Sequence, residues 1–340
     1  MSLMYLRMHK RTRYSLLLML ALMAALVVAL VLRKAAPPEV ARLLPESDAI
    51  VYANLKPLRA ATHFDRSPIN RSPEYQQFID ATGIVPERDL DSAAFALHRM
   101  DDPNGPNGPV GYSEVFEGRF DGERLARYLA TIATAKENYA GHDIFTIRVG
   151  DEKAVRPLRI AQLGYDTIAA SNMPTAEQIH SILDRHRAAA SPFSGSSLLS
   201  ARYRDVPAFS SVWALGHIGL PFSDRGFVSV FGLQLPMPED TTFVASLRYL
   251  GTIHLRIEQI TPNDADAAHA TETLTTLLTL LKTVQQAQAQ MQPHPVTDAA
   301  FRELTDSTKI EQHKDRAVLT ANIPLELVKQ LAANTPDSQP

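Results

Sequence analysis

Ser113–Leu129, SEVFEGRFDGERLARYL, carries a change of period that decides the fold class. Over Ser113–Phe120 the pattern is that of a strand, with Val115, Glu117 and Arg119 on one side. Asp121 then offers a side-chain oxygen to the first amides of a helix, and Leu125, Tyr128, Leu129 and Ile132 recur at helical spacing on one face. A strand thus passes into an amphipathic helix through a single capping residue. Next come two strand-like runs, His142–Val149 and Arg159–Ser171, which read as a hairpin. Pro174-Thr175 leads into a second helix, with Thr175-x-x-Gln178 as a capping box and Ile179, Ile182 and Leu183 as its apolar face.

The same order recurs downstream. His254–Ile260 reads as a strand, and Thr261-Pro262-Asn263-Asp264 opens a helix to about Met291 with Leu274, Leu277, Leu278, Leu281 and Val284 as its stripe. Thr308–His313 and Ala317–Ile323 form a hairpin turning at Lys314-Asp315, and Pro324 leads into a short helix through Leu327, Val328 and Leu331. The junctions Ser171–Pro174, SNMP, and Ala321–Pro324, ANIP, also read alike. A duplicated β-α-β-β-α unit is the expectation, with strands at Asp48–Leu55 and Ala93–Leu97 before the first copy. Ser211–His217, Phe227–Leu233 and Thr242–Tyr249 precede the second. Ser72-Pro73 starts a further helix that Gly83 ends, and Asp101–Gly111, DDPNGPNGPVG, is a loop. Such a chain is α+β: largely antiparallel sheet backed by helices, as two sheets or one merged sheet.

Ahead of all this, Ser15–Leu32 is 18 residues without a charge. As a helix it reaches roughly 27 Å, enough for the hydrocarbon core of a bilayer. It exceeds the apolar core of an ordinary signal peptide, and a cut after Ala36 would put Lys34 at a position that wants a small residue. A cut after Ala29 is the alternative. Arg7, Lys10, Arg11 and Arg13 precede the run, and Arg33 and Lys34 follow it. The positive-inside rule places the N-terminus in the cytoplasm and the bulk of the chain beyond an inner membrane, in a periplasmic or extracytoplasmic space. The expected layout is a cytoplasmic start (1–14), an anchor (15–32), a linker (33–44), two α+β halves (45–190 and 191–333) and a disordered tail (334–340).

Six of the 34 basic residues and none of the 37 acidic ones precede residue 35, so the rest of the chain has nine more acids than bases. That balance opposes nucleic-acid binding and adhesion to an anionic bilayer, leaving the apolar helix as the contact with lipid. With no cysteine, disulfides, thiolate metal sites and thiol nucleophiles are excluded. No G-x-S-x-G, H-E-x-x-H, S-x-x-K, Walker loop or dinucleotide glycine fingerprint occurs, and no cofactor is expected.

The remaining candidates are local. Glu311, His313 and Asp315 alternate along one strand, a carboxylate–imidazole–carboxylate set able to ligate a divalent metal, or simply a solvated strand end. Ser194-Gly195-Ser196-Ser197 offers hydroxyls but reads as a turn. His180 and Asp184 are one helical turn apart on a polar face, and His98 stands close to Asp101 and Asp102. Gly216–Pro238, GHIGLPFSDRGFVSVFGLQLPMP, carries Leu220, Phe222, Phe227 and Phe231 beside turns, a candidate binding surface for a partner unless one hairpin face belongs to the core.

The opening ARLLPESDAIVYANLKPL at Ala41–Leu58 and the element VFEGRFDGERLARYL at Val115–Leu129, behind an apolar N-terminal run, resemble uncharacterised bacterial envelope proteins with one membrane anchor and an exported α+β domain of unknown function. The resemblance implies location and fold and transfers no catalytic residue. The expected role is non-enzymatic binding or scaffolding of an envelope protein partner. The alternatives are an anchored hydrolase or metal-dependent enzyme using His and carboxylates, and an accessory subunit of a membrane complex.

Overall fold

The computed structural model describes residues 36–66, 71–150, 154–188, 195–217, 227–230, 233–236, 241–249, 251–291 and 295–325, with Met19, Met23 and Leu327. Apart from its two methionines, the apolar run Ser15–Leu32 lies outside the described residues, as does the tail 334–340. Among the described residues no helix is long and apolar enough to cross a membrane.

In chain order the elements are α1 (Glu39–Arg42), β1 (Ala49–Asn54), α2 (Leu55–Thr62), α3 (Pro73–Thr82), α4 (Pro86–Asp89), β2 (Leu90–Arg99) and β3 (Val110–Gly118). Then follow α5 (Gly122–Ile132), β4 (Ala135–Tyr139), β5 (His142–Val149), β6 (Arg156–Gln162), β7 (Thr167–Ser171), α6 (Glu177–Arg187) and α7 (Ser197–Arg202). The remainder is β8 (Val212–Gly216), β9 (Phe227–Val230), β10 (Leu233–Pro236), β11 (Thr242–Tyr249), β12 (Ile253–Ile260), α8 (Asp264–Met291), α9 (Pro295–Ser307), β13 (Lys309–His313) and β14 (Arg316–Ile323). The fold is α+β, and one merged antiparallel sheet replaces the two sheets that the pattern also allowed. Twelve strands pair in the order β13-β14-β12-β11-β8-β1-β2-β3-β7-β6-β5-β4, and β9 with β10 forms a separate ribbon.

The pair β1–β8 lies near the middle of this order. Outward from it run β1-β2-β3-β7-β6, extended by β5-β4, on one side and β8-β11-β12-β14-β13 on the other. Each side is a three-strand meander, a helical excursion, then a hairpin whose second strand docks on the meander. Here the hairpin expected over 142–171 is corrected. Arg159–Ser171 is not one strand but β6 and β7, because the Leu163 amide bonds back to the Thr167 carbonyl at 2.9 Å in a tight turn. Ala135–Tyr139 adds an outer strand that no alternation announced. The counterpart of β13–β14 is therefore β6–β7.

Local signals act as chemistry requires at most ends. The Ser72 and Asp121 side chains accept from the Tyr75 and Arg124 amides, and Gly83 closes α3 at φ 74°. The Thr175-x-x-Gln178 box does not form: α6 starts at Glu177 behind Ala176, without a side-chain cap. The Arg159 guanidinium instead gathers the Met173, Pro174 and Thr175 carbonyls at 2.7–3.1 Å and holds that segment as a loop. In α8, threonines such as Thr271, Thr275 and Thr279 return their hydroxyls to the carbonyl four residues back, which satisfies them mid-helix.

The sheet is packed on both faces. One core joins Val40, Leu43 and Leu44, then Ile179, Ile182 and Leu183 of α6, with Ile50, Val115, Ile144, Trp213 and Leu215 of the strands. A second core joins Leu125 and Leu129 of α5 with Ile84, Phe145 and Ile168. Ile144 and Phe145 are successive residues of β5, so the two cores lie on opposite faces.

Candidate functional site

A cleft of about 450 Å³ opens between α5 and the β4–β5 hairpin, near one edge of the sheet. Its floor is apolar, from Leu125, Leu129 and Phe145, and Tyr165 on the β6–β7 turn stands 95% exposed at its rim. The polar lining is already committed. The His142 Nδ1 meets the Gln162 carbonyl at 2.9 Å, and the Gln162 amide donates to the Gly164 carbonyl at 2.8 Å. Asp143 takes Lys136 at 2.8 Å and the Asn138 amide at 3.2 Å, and those bonds hold its carboxyl below the usual range. The arrangement can seat an apolar group beside a fixed carboxylate, and it places no nucleophile against a base.

On the other face of the same edge, β4 meets α6. The His180 ring stacks on Tyr139 with centroids 3.9 Å apart and planes 9° off parallel, and His180 Nε2 meets Glu137 at 2.7 Å. The Tyr139 hydroxyl donates to Asp184 at 2.9 Å; that bond, with some burial, raises the phenol. His180 and Asp184 are thus each engaged by the edge strand, a docking contact for α6.

His98 is buried. Its Nε2 meets the Ser113 hydroxyl at 3.1 Å, and Ser113 in turn meets Ser171 at 3.1 Å. Burial lowers the His98 imidazole, with Asp48 acting in the opposite direction. Asp102 accepts the Asn104 amide within its own loop, so it does not complete a trio with His98. Ser196 caps α7 and Ser197 donates to Glu46 at 2.6 Å. Burial alone would raise Glu46, but bonds from Ser197 and Arg185 outweigh it and lower the carboxyl.

His313 lies 3.3 Å from Glu311 on the exposed edge strand β13, whereas Asp315 sits in the turn, its carboxylate 3.9 Å from Arg316. Among the described residues no group of three or more His, Cys, Asp or Glu is placed to hold a metal. Leu220, Phe222 and Phe231 lie outside the described residues. Phe227 is described as the first residue of β9, opposite Pro236 in the β9–β10 register.

Sequence reading missed an ionic cluster that needs the fold to exist. Arg316 of β14 bonds Glu258 of β12 at 2.8 Å and Asp205, ahead of β8, at 3.0 Å, while Arg256 reaches Glu258 at 2.7 Å. The two carboxylates are buried and come from segments far apart in the chain, so no local motif signals them.

No protein-family model and no curated protein matches the chain. Among solved structures, crystal form IV of TP0453 is similar at a TM-score of 0.44 and 9% identity, covering 88% of this chain and 97% of that one. Form III gives 0.43 and 10% over 88% and 99%, and form I gives 0.42 and 7% over 86% and 96%. Similarity this loose carries no argument about function.

Proposed function

We propose that the chain is a single-pass protein of the inner membrane. Its N-terminus is cytoplasmic, and its α+β body projects into the extracytoplasmic space as a non-enzymatic binding or scaffolding unit. The observation that carries this is the uncharged run Ser15–Leu32, with its heavier cationic flank on the N-terminal side, ahead of an acidic remainder. We propose also that the body arose by duplication of a β-α-β-β-α unit. The matching strand order on either side of β1–β8 supports this.

The partner surface in this reading is Gly216–Pro238, with Leu220, Phe222, Phe227 and Phe231 as its apolar contacts. Support comes from topology. β8 and β11 are adjacent strands, with Gly216 opposite Phe243, so the chain leaves and re-enters the sheet at neighbouring positions. A short turn would join them, and the intervening strands β9 and β10 pair with each other outside the twelve-stranded sheet. A binding role is favoured over catalysis because His142 and Asp143 of the cleft and His180 and Asp184 of α6 are each engaged by structural partners.

Two measurements test the reading. Alkaline carbonate extraction of cell membranes is expected to leave the full-length chain in the pellet; mature protein that starts after Val31 and is released by osmotic shock would overturn the anchor. Purification from detergent-solubilised membranes, comparing the wild type with Phe222→Ala/Phe227→Ala/Phe231→Ala, is expected to show an envelope protein retained only by the wild type. An identical set with both would remove the surface assignment.

A further inference from the structure

A small hollow of about 230 Å³ lies on the second half of the sheet, lined by Arg248, His254, Arg256, Lys309, Thr320 and Asn322 among others. Register explains the convergence. Arg248 of β11 is opposite His254 of β12, and His254 is opposite Asn322 of β14. Arg256 is opposite Thr320, which is opposite Lys309 of β13. Steps of two along each strand keep these side chains on one face. Four adjacent strands thus deliver three permanent cations, an imidazole, a hydroxyl and an amide to one place.

The charge there is only partly compensated. Arg256 has one carboxylate partner, Glu258, which it shares with Arg316. Arg248 and Lys309 have no carboxylate partner among the described residues. Like charges on neighbouring strand positions repel unless a counter-charge sits between them. The other side of the sheet shows what such a cation does when it is satisfied. Arg159 stands opposite Ser171 of β7 as Lys309 stands opposite Thr320 of β14, and Arg159 is consumed by three backbone carbonyls. Lys309 is exposed, and among the described residues no carbonyl accepts from it.

We propose that this hollow binds a phosphate group, carried either on a lipid headgroup or on a free phosphate compound. Guanidinium pairs suit a tetrahedral oxyanion because they present planar, divergent N–H donors, and Lys309 adds a point charge at the rim. Thr320 and Asn322 add neutral donors. The volume fits one phosphate with a short substituent and is too small for a drug-sized ligand. The hollow shares no lining residue with Gly216–Pro238, and the proposal does not depend on the membrane reading.

The test uses the full-length chain in a non-ionic detergent, with thermal unfolding and calorimetric titration as readouts. The probes are inorganic phosphate, dioctanoyl phosphatidylglycerol and, at matched ionic strength, sodium chloride. Arg248→Gln/Lys309→Gln is compared with the wild type, and the exposed Lys309→Gln alone guards against misfolding of the double variant. The expected result is saturable binding of one phosphate probe, weakened at least tenfold by the double variant and less by the single one, with no effect of chloride. Binding of inorganic phosphate identifies a free phosphate compound; binding of the short-chain lipid alone identifies a headgroup. Equal binding by wild type and double variant, or binding of neither phosphate probe, overturns the proposal.

Discussion

Tyr52 and Trp213 face each other across the β1–β8 pair, and their rings stack with centroids 5.3 Å apart at 28°. Trp213 is 2% exposed and is also met edge-on by Tyr203 at 5.4 Å. The contact fastens the strand that opens the first half of the sheet to the strand that opens the second. Trp213→Ala should therefore cost about 3–5 kcal/mol, the range for truncating a large buried aromatic. Trp213 is also the chain's one tryptophan. In urea, its fluorescence and the far-UV circular dichroism of the wild type should report the same midpoint. An earlier fluorescence change would mean that the seam opens before the two halves unfold.

Gly216 ends β8 at φ 134°, and a Cβ there would lie 2.4 Å from the Asp48 carbonyl oxygen and 2.5 Å from the Ala49 Cα. Both obstacles are backbone and cannot swing aside. Gly216→Ala combines an unfavourable dihedral with overpacking and should lose about 2–4 kcal/mol. Gly251, also at positive φ but with open space around its Cβ position, should lose less on the same change. A larger loss at Gly251 than at Gly216 in parallel urea titrations would contradict the packing account.

Arg316 holds two buried carboxylates, Glu258 and Asp205, and so ties the segment before β8 to the far side of the sheet. Hydrogen bonds to Glu258 and Asp205 raise the guanidinium further above its already high value, burial working against them. Arg316→Met leaves Glu258 with Arg256 alone and Asp205 with Arg202 alone at 3.8 Å, and should cost about 1–3 kcal/mol. Adding Asp205→Asn and Glu258→Gln should recover most of that, because the penalty lies in the under-paired charges. If the triple variant unfolded as early as Arg316→Met alone, lost packing by the arginine stem would be the cause instead.

How much of this was readable beforehand follows from where each signal resides. Ser113–Leu129 announced its strand and helix because the period changes within it and Asp121 marks the change, all within a few residues. The Lys314-Asp315 turn was legible for the same reason, and Lys314 takes φ 54° there. Ala135–Tyr139 escaped notice because an outer strand exposed at its first four residues, with only Tyr139 half-buried, has too little buried side to create alternation. The split of Arg159–Ser171 turned on Gly164 and Asp166, a turn signal buried in an otherwise β-rich run. The capping box failed because Arg159, distant in sequence, competes for the loop. The phosphate-sized hollow and the Arg316 cluster were invisible in principle: their members come from strands whose adjacency only the sheet order creates.

Glu114 is flanked on its strand by Tyr112 and Phe116 and stands opposite Phe95 on β2 and Ala170 on β7. No hydrogen-bond or ion-pair partner meets it among the described residues, and burial pushes its carboxyl up from 4.5 to about 7. The folded protein therefore holds a proton at this site that the unfolded chain has released. The sign follows: where the folded state binds more protons, stability falls as pH rises. The decline should begin near pH 4.5, be complete near pH 7, and amount to about 3 kcal/mol at most. His98, lowered by burial, slopes the other way, losing stability as pH falls below its ordinary 6.5. The two overlap, so the wild-type curve alone does not isolate either. Glu114→Gln does, because it removes one slope and leaves the other. The difference in urea midpoint between Glu114→Gln and wild type should be small at pH 4.5, grow with pH, and level off above pH 7 with the variant more stable. A difference that stayed flat across that range would show that the Glu114 carboxylate is solvated well enough to ionise without cost.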